Sequence, residues 1–270
     1  MSAEAKTGFD PASYWNKRYE HVDLVRSGHM DLPAEYNIWL YARKQKRLVE
    51  VLAKLGFSLF KSKLLEVASG SGAYLDFWKQ EGVGEYLGID LSDIAIQSLK
   101  QRYPKHQFLQ YDLNTSGLPN AVGVGYDIAT ALDVLYHVVD DERFNHALIE
   151  LAMVLKPGGL LVIHDQFIHR STSDHGYIKW RSLMDYEKAL QAAGFEIITR
   201  RPIFFFMIQT IDFKGWAQKT MDTLWDRFTY PFVQRFPKLA GALGNTIDNV
   251  ICKFVNEGPT MEIMVCRKKG

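Results

Sequence analysis

Through the middle of this chain, apolar runs that stop at an acid or a glycine alternate with stretches whose apolar residues recur at helical spacing. Runs at 63–67, 86–89, 107–110, 127–131, 160–164, 195–199 and 261–266 predict seven strands. Between them, Tyr74, Leu75, Phe77 and Trp78 suit one helix, and Ile94, Ile96 and Leu99 suit another running toward Pro104. A third helix is expected over 144–155, ending before Pro157-Gly158-Gly159, and a fourth over 184–193, ending at Gly194. Strand and helix alternating in this way argue for βαβ units on a parallel sheet. The expected fold is α/β: a doubly wound, seven-stranded, mostly parallel sheet with an N-terminal helical cap and a helical insertion before the last strand.

Two segments stand outside that alternation. Residues 1–60, the cap, carry Tyr14, Trp15, Tyr19, Tyr36, Trp39 and Tyr41. Residues 203–258, the insertion, carry Phe204, Phe205, Phe206, Phe213, Trp216, Trp225, Phe228, Tyr230, Phe232 and Phe236. The core occupies 61–202 and takes back its last strand from 259–270. Leu224, Phe228 and Phe232 recur at i, i+4 and i+8, so part of the insertion reads as helix. It can pack as a helical pair on the sheet edge, or cover a ligand pocket, since ligands enter doubly wound sheets beyond the carboxyl ends of the strands. A homodimer contact is the third use open to it.

Composition narrows the function without choosing one. With 270 residues, 47% hydrophobic and 23% charged, the chain is an ordinary globular domain of somewhat above average size. A net charge of +1 favours neither nucleic acid nor an anionic surface as a partner. The basic run Arg43, Lys44, Lys46, Arg47 is expected on a solvated helix face, with one member turned toward an anion. Two cysteines, Cys252 and Cys266, are too few for a disulfide framework. No apolar run nears the ~20 residues that span a bilayer, and the N-terminus lacks a signal-peptide pattern, so the expected location is cytoplasmic.

The chemistry is concentrated in Leu64–Tyr74, LLEVASGSGAY, where an apolar run reaches Glu66 and turns into small residues. Glycines there allow backbone N–H groups to approach a ligand closely. About 20 residues on, a second run ends in Asp90, placed to accept ribose hydroxyls. A dinucleotide site wants G-x-G-x-x-G; here Glu66, Ala68, Gly70 and Gly72 sit at alternate positions.

That pattern resembles the first motif of class I S-adenosylmethionine-dependent methyltransferases, a Rossmann-like family. Asp90, the segment Tyr111–Asn114, the run Tyr126–Val138 and the run Leu155–Asp165 follow in that family's order. The resemblance implies S-adenosylmethionine as cofactor, S-adenosylhomocysteine as product and no metal. It assigns Glu66, Ala68, Gly70 and Gly72 to the methionine and ribose portion, and Asp90 with Leu91 to the ribose. Asp112 and Leu113 fall to the adenine, and Leu132 and Asp133 to the methionine amine. The family's first glycine is Ala68 here, a residue expected to tolerate a strand end.

On the acceptor side, a hydroxyl needs a base whereas a carboxylate does not. His164, where the fifth strand should end on the ligand-facing rim, is the expected general base, with His137 after the fourth strand in reserve. The absence of a G-x-S-x-G elbow excludes a common hydrolase type. The expected function is methyl transfer to a small organic acceptor, at an oxygen of a secondary metabolite or of a lipid- or sugar-linked intermediate. An N- or C-methyltransferase, a methyltransferase-fold cyclase and a non-catalytic cofactor-binding subunit remain open. The partner expected is that small molecule, not nucleic acid, and without stable membrane insertion.

Overall fold

The computed structural model describes residues 10–20, 28–170 and 176–270. Seven strands form one sheet in the order β3-β2-β1-β4-β5-β7-β6. They are β1 Lys63–Val67, β2 Glu85–Asp90, β3 Gln107–Gln110, β4 Tyr126–Leu132, β5 Leu155–Asp165, β6 Phe195–Pro202 and β7 Glu262–Lys268. All neighbouring pairs are parallel except those of β7, which runs antiparallel to both β5 and β6. The order reverses at β1–β4, and there the carboxyl ends open a crevice.

Helices α1 Pro11–Arg18 and α2 Ala34–Lys54 precede the sheet. α3 Leu75–Gln80, α4 Asp93–Arg102, α5 Leu118–Val122, α6 Asp141–Val154 and α7 Leu183–Ala192 lie between strands. The insertion holds α8 Trp216–Leu224, a π-turn at Trp225–Thr229, α9 Tyr230–Arg235 and α10 Pro237–Phe254. Two apolar layers sandwich the sheet. One joins Leu64, Ile128, Val162 and Val265 to α2, Trp78 and the insertion. The other joins Leu65, Ala129, Leu161 and Met264 to α6 and α7.

Strand ends follow the expectation to within two residues except at β6, which runs three residues further to Pro202, and at β5. That strand begins at Leu155, which pairs with Tyr126, and runs through the Pro157-Gly158-Gly159 corner, exposed at Pro157 and Gly158. Gly158 takes φ 77°, so the glycines bend a strand instead of separating a helix from one. Helix α6 starts earlier than expected, where Asp140 accepts from the Arg143 amide at 2.8 Å.

The basic run departs further. Arg43, Lys44 and Arg47 are buried, and only Lys46 is a solvated residue. Arg43 donates to the Ile203 and Asp248 carbonyls (2.6 and 2.9 Å) and to Asn249 Oδ1 (2.7 Å). Arg47 donates to the Pro202 and Cys252 carbonyls at 3.0 Å each. Guanidinium groups thus satisfy orphan carbonyls and fasten α2 to the insertion. Asp248 does the reciprocal work, accepting from the amides of Phe205, Phe206 and Met207. Leu224, Phe228 and Phe232 do lie in helical turns, but all three are exposed rather than packed on the sheet.

Candidate active site

A cavity opens at the carboxyl ends of β1, β2 and β4. Its wall includes Glu66, Ala68, Gly70, Asp90, Leu91, Asp112, Leu113, Leu132 and Asp133. Burial sets the state of its acids. Glu66 Oε2 accepts from Trp78 Nε1 at 3.0 Å and Tyr86 OH at 2.6 Å, yet desolvation pushes its carboxyl up to about 7. Asp90 accepts from the Gly70 and Ser92 amides at 2.8 Å each, and burial raises it to about 6. The Gly70–Asp90 bond closes the β1 turn onto the end of β2. Asp112 is held in an Asx-turn by the Asn114 amide at 2.8 Å.

Two motif residues have other reasons. Gly72 does not line the cavity: at φ 78°, a Cβ there would come 2.7 Å from Leu99, so Gly72 serves the packing of α4. Ala68 adopts φ 58°, a left-handed conformation, so this strand end is strained for alanine rather than tolerant of it.

Asp133 is the centre of the site. It ends β4 at φ 61°, its amide donates to the His164 carbonyl at 3.1 Å, and its Oδ2 meets Lys44 Nζ at 2.5 Å. Its Oδ1 is buried without a protein partner. A buried carboxylate oxygen of this kind fits a primary ammonium such as the methionine end of S-adenosylmethionine. Together with the acids at the β2 and β3 ends and the small residues after β1, the donor set fits that cofactor.

A second cavity adjoins the first and shares Arg18, Tyr41, Asp133, Tyr136 and His137 with it. Leu40, Trp180, Phe204, Ile208, Ile211 and Met261 give it apolar walls, while His29, Asn37, Lys44, Gln166 and Gln209 add polar points. The two candidate histidines part here. His137 lines both cavities, stacks on Tyr177 and meets Trp15 edge-on. Its Nδ1 lies 2.9 Å from the Tyr177 carbonyl, which only accepts, so Nδ1 carries the proton and Nε2 the lone pair. Burial lowers it to about 4. His164 is wholly buried, lines neither cavity and has no protein partner for either ring nitrogen. Burial lowers it to about 3, with the charges of Asp133 and Lys44 beside it. Expected on the rim, it lies beneath it, fully buried. Asp165 also faces the core, bonded to Tyr186 OH, and burial lifts it to about 7. Trp15, Tyr19, Tyr74 and Tyr111 also line the first cavity. Trp15 and Tyr19 were signalled by the aromatic density of the cap, Tyr74 and Tyr111 by their motif segments, and Lys44 is the member of the basic run that turns toward an anion.

A mostly parallel sheet with its order reversed over an acid-lined crevice, and a buried carboxylate oxygen that fits an ammonium, match the architecture of the class I S-adenosylmethionine-dependent methyltransferases. Residues 65–163 match the family model described as a methyltransferase domain. A ubiquinone biosynthesis O-methyltransferase from Photorhabdus laumondii is 27% identical over 160 residues. That alignment spans 57% of this chain and 62% of the relative's length. Magnesium protoporphyrin IX methyltransferase from Synechocystis PCC 6803, solved with S-adenosylmethionine bound, superposes with TM-score 0.55 at 14% identity, over 98% of this chain and all of that one. The cyclase SpnF superposes with TM-score 0.52 at 19% identity, over 83% and 80% of the two chains. At such identities these structures establish the fold. Residues 65–163 thus form a methyltransferase domain on the class I fold, whose cofactor is S-adenosylmethionine.

Proposed function

We propose that this protein transfers a methyl group to a hydroxyl oxygen of a small, largely apolar acceptor, with His137 as the general base. The observation that carries the reading is the pair of adjoining cavities with His137 and Asp133 in their common wall. The cofactor, when bound, supplies a methyl group on a cationic sulfur, which needs little further activation. The chain's tasks are then alignment, exclusion of water and removal of one proton. Asp133 holds the cofactor's ammonium through Oδ1. Trp15, Tyr19 and Tyr41 shut water from the first cavity, and the apolar residues of the insertion seat the acceptor in the second. As the new C–O bond forms, the hydroxyl proton passes to His137 Nε2, while the Tyr177 carbonyl keeps the ring in the required tautomer. The name of the Photorhabdus relative supports oxygen as the acceptor atom.

The test is incubation with S-adenosylmethionine carrying a deuterated methyl group and a panel of phenols, hydroxylated lipids and glycosides, read by mass spectrometry. A labelled O-methyl product is expected, and His137→Ala should lower turnover by about 10²–10⁴-fold with cofactor affinity unchanged. Because the folded imidazole titrates near 4, kcat/KM should stay level from neutral pH down to its acid limb near that value. Turnover that survives His137→Ala within a few-fold, or falls only in His164→Ala, would overturn the assignment of the base.

A further inference from the structure

Helix α10 is inside out. The positions it buries against α2 and the 203–208 segment are small or polar: Ala240, Gly241, Asp248 and Cys252. Its outward positions Leu239, Leu243, Ile247, Val250 and Phe254 are between 47% and 83% exposed. At 100° per residue these five fall within an arc of about 80°, a continuous apolar stripe along the whole helix. The helix has no freedom to roll this stripe inward. A Cβ at Gly241 would come 2.1 Å from Trp39, Asp248 is tied to three backbone amides, and Arg43 and Arg47 grip the carbonyls of Asp248 and Cys252. The sequence therefore places large apolar side chains in water by construction, where a monomer would carry polar ones.

Charge decides what covers the stripe. Lys253 borders it about 40° beyond its edge, Lys238 stands in the first turn beside Leu239, and residues 214–254 hold six Lys or Arg against three Asp, one of them the buried Asp248. All six cations are exposed. A second copy meeting this face about a two-fold axis would set that same cationic surface against itself, and like charges in contact are unfavourable. An anionic lipid surface satisfies both features, since lysines bordering an apolar helix face reach phosphate headgroups while the face enters the acyl boundary. No helix among the described residues is long and apolar enough to cross a membrane, so contact is by the face of α10 and not by a span. We propose that the outward face of α10 seats the protein on an anionic bilayer.

Flotation with vesicles tests this without requiring methyl transfer. The full chain should float with vesicles of equimolar phosphatidylcholine and phosphatidylglycerol, and far less with phosphatidylcholine alone. The variant Leu243→Gln/Ile247→Gln/Phe254→Gln should stay in solution. Lys238→Gln/Lys253→Gln should bind mixed vesicles about thirtyfold more weakly, at about 1 kcal/mol per cation near the surface. Calorimetry with S-adenosylmethionine should give the wild-type affinity for both variants, since neither touches the cofactor cavity, and that result certifies their fold. Equal flotation with and without phosphatidylglycerol, or a triple variant that binds like wild type, overturns the proposal. So does a wild-type dimer in sedimentation velocity that the triple variant dissolves while neither protein binds vesicles.

Discussion

The Lys44–Asp133 pair offers the sharpest test of the site's energetics. Lys44 Nζ and Asp133 Oδ2 are 2.5 Å apart, with side chains only 10% and 15% exposed. At an effective dielectric of about 20 their attraction is about 7 kcal/mol, against a desolvation cost of several kcal/mol for each ion. The net contribution of the pair is small, but the loss of either partner strands the other. Lys44→Met and Asp133→Asn should each destabilise by about 3 kcal/mol, whereas the double variant should cost no more than either alone, a coupling of at least about 3 kcal/mol. Asparagine tolerates the left-handed backbone at this position, so Asp133→Asn leaves φ 61° undisturbed. Urea unfolding of the four proteins measures the cycle. Calorimetry then separates the partners, because Asp133→Asn should weaken S-adenosylmethionine at least tenfold and Lys44→Met should change it little. Single-variant effects that add to within about 0.5 kcal/mol would refute the coupling, and with it the view of Asp133 as a buried anion held ready by Lys44.

Three other changes probe separate features. Asp90→Ala removes a charged acceptor from the first cavity and should weaken the cofactor by about 10–150-fold in calorimetry, the equivalent of about 1.5–3 kcal/mol. Ala68→Gly should stabilise by about 0.5–1 kcal/mol in urea unfolding, because glycine relieves the positive φ at more than its own entropic cost. His164 should make the fold acid-sensitive. In the unfolded chain it takes a proton near 6.5 and in the folded one not until about 3, so between those values the unfolded state binds more protons and stability falls with falling pH. From pH 8 to pH 5 that loss is about 2 kcal/mol, and it should be missing from His164→Gln when the two proteins are compared at both pH values.

Strands were legible because their signal is local: Glu66, Asp90 and Leu132 end apolar runs in the crevice, and an acid or a turn after such a run has few other readings. The helices joining them inherit their boundaries from the strands. Charge was misleading wherever a long-range partner decides burial. Arg43, Lys44 and Arg47 read as a solvated face because most of their acceptors are backbone carbonyls or the Asp133 carboxylate, more than 80 residues away. Backbone carbonyls carry no sequence signature. His164 was placed correctly along β5 but not in depth, since nothing in its own neighbourhood announces that it is wholly buried. The glycine motif mixed two physical causes that spacing does not separate, backbone approach at Gly70 and helix packing at Gly72.

The docking of the insertion is written on one side only. Arg43 and Arg47 address the main chain at Pro202, Ile203, Asp248 and Cys252, so four of their six bonds ask nothing of the side chains they meet. Two arginines on α2 therefore hold an attachment point to which chains of quite different sequence can be fitted. The acceptor wall and the outer face of α10 are free to diverge under selection for new substrates or surfaces, while the joint that carries them stays the same. In related proteins we expect these two arginines to outlast the aromatic residues of the insertion. A chimera that exchanges 203–258 but keeps α2 should fold more readily than one that keeps the insertion and replaces the arginines.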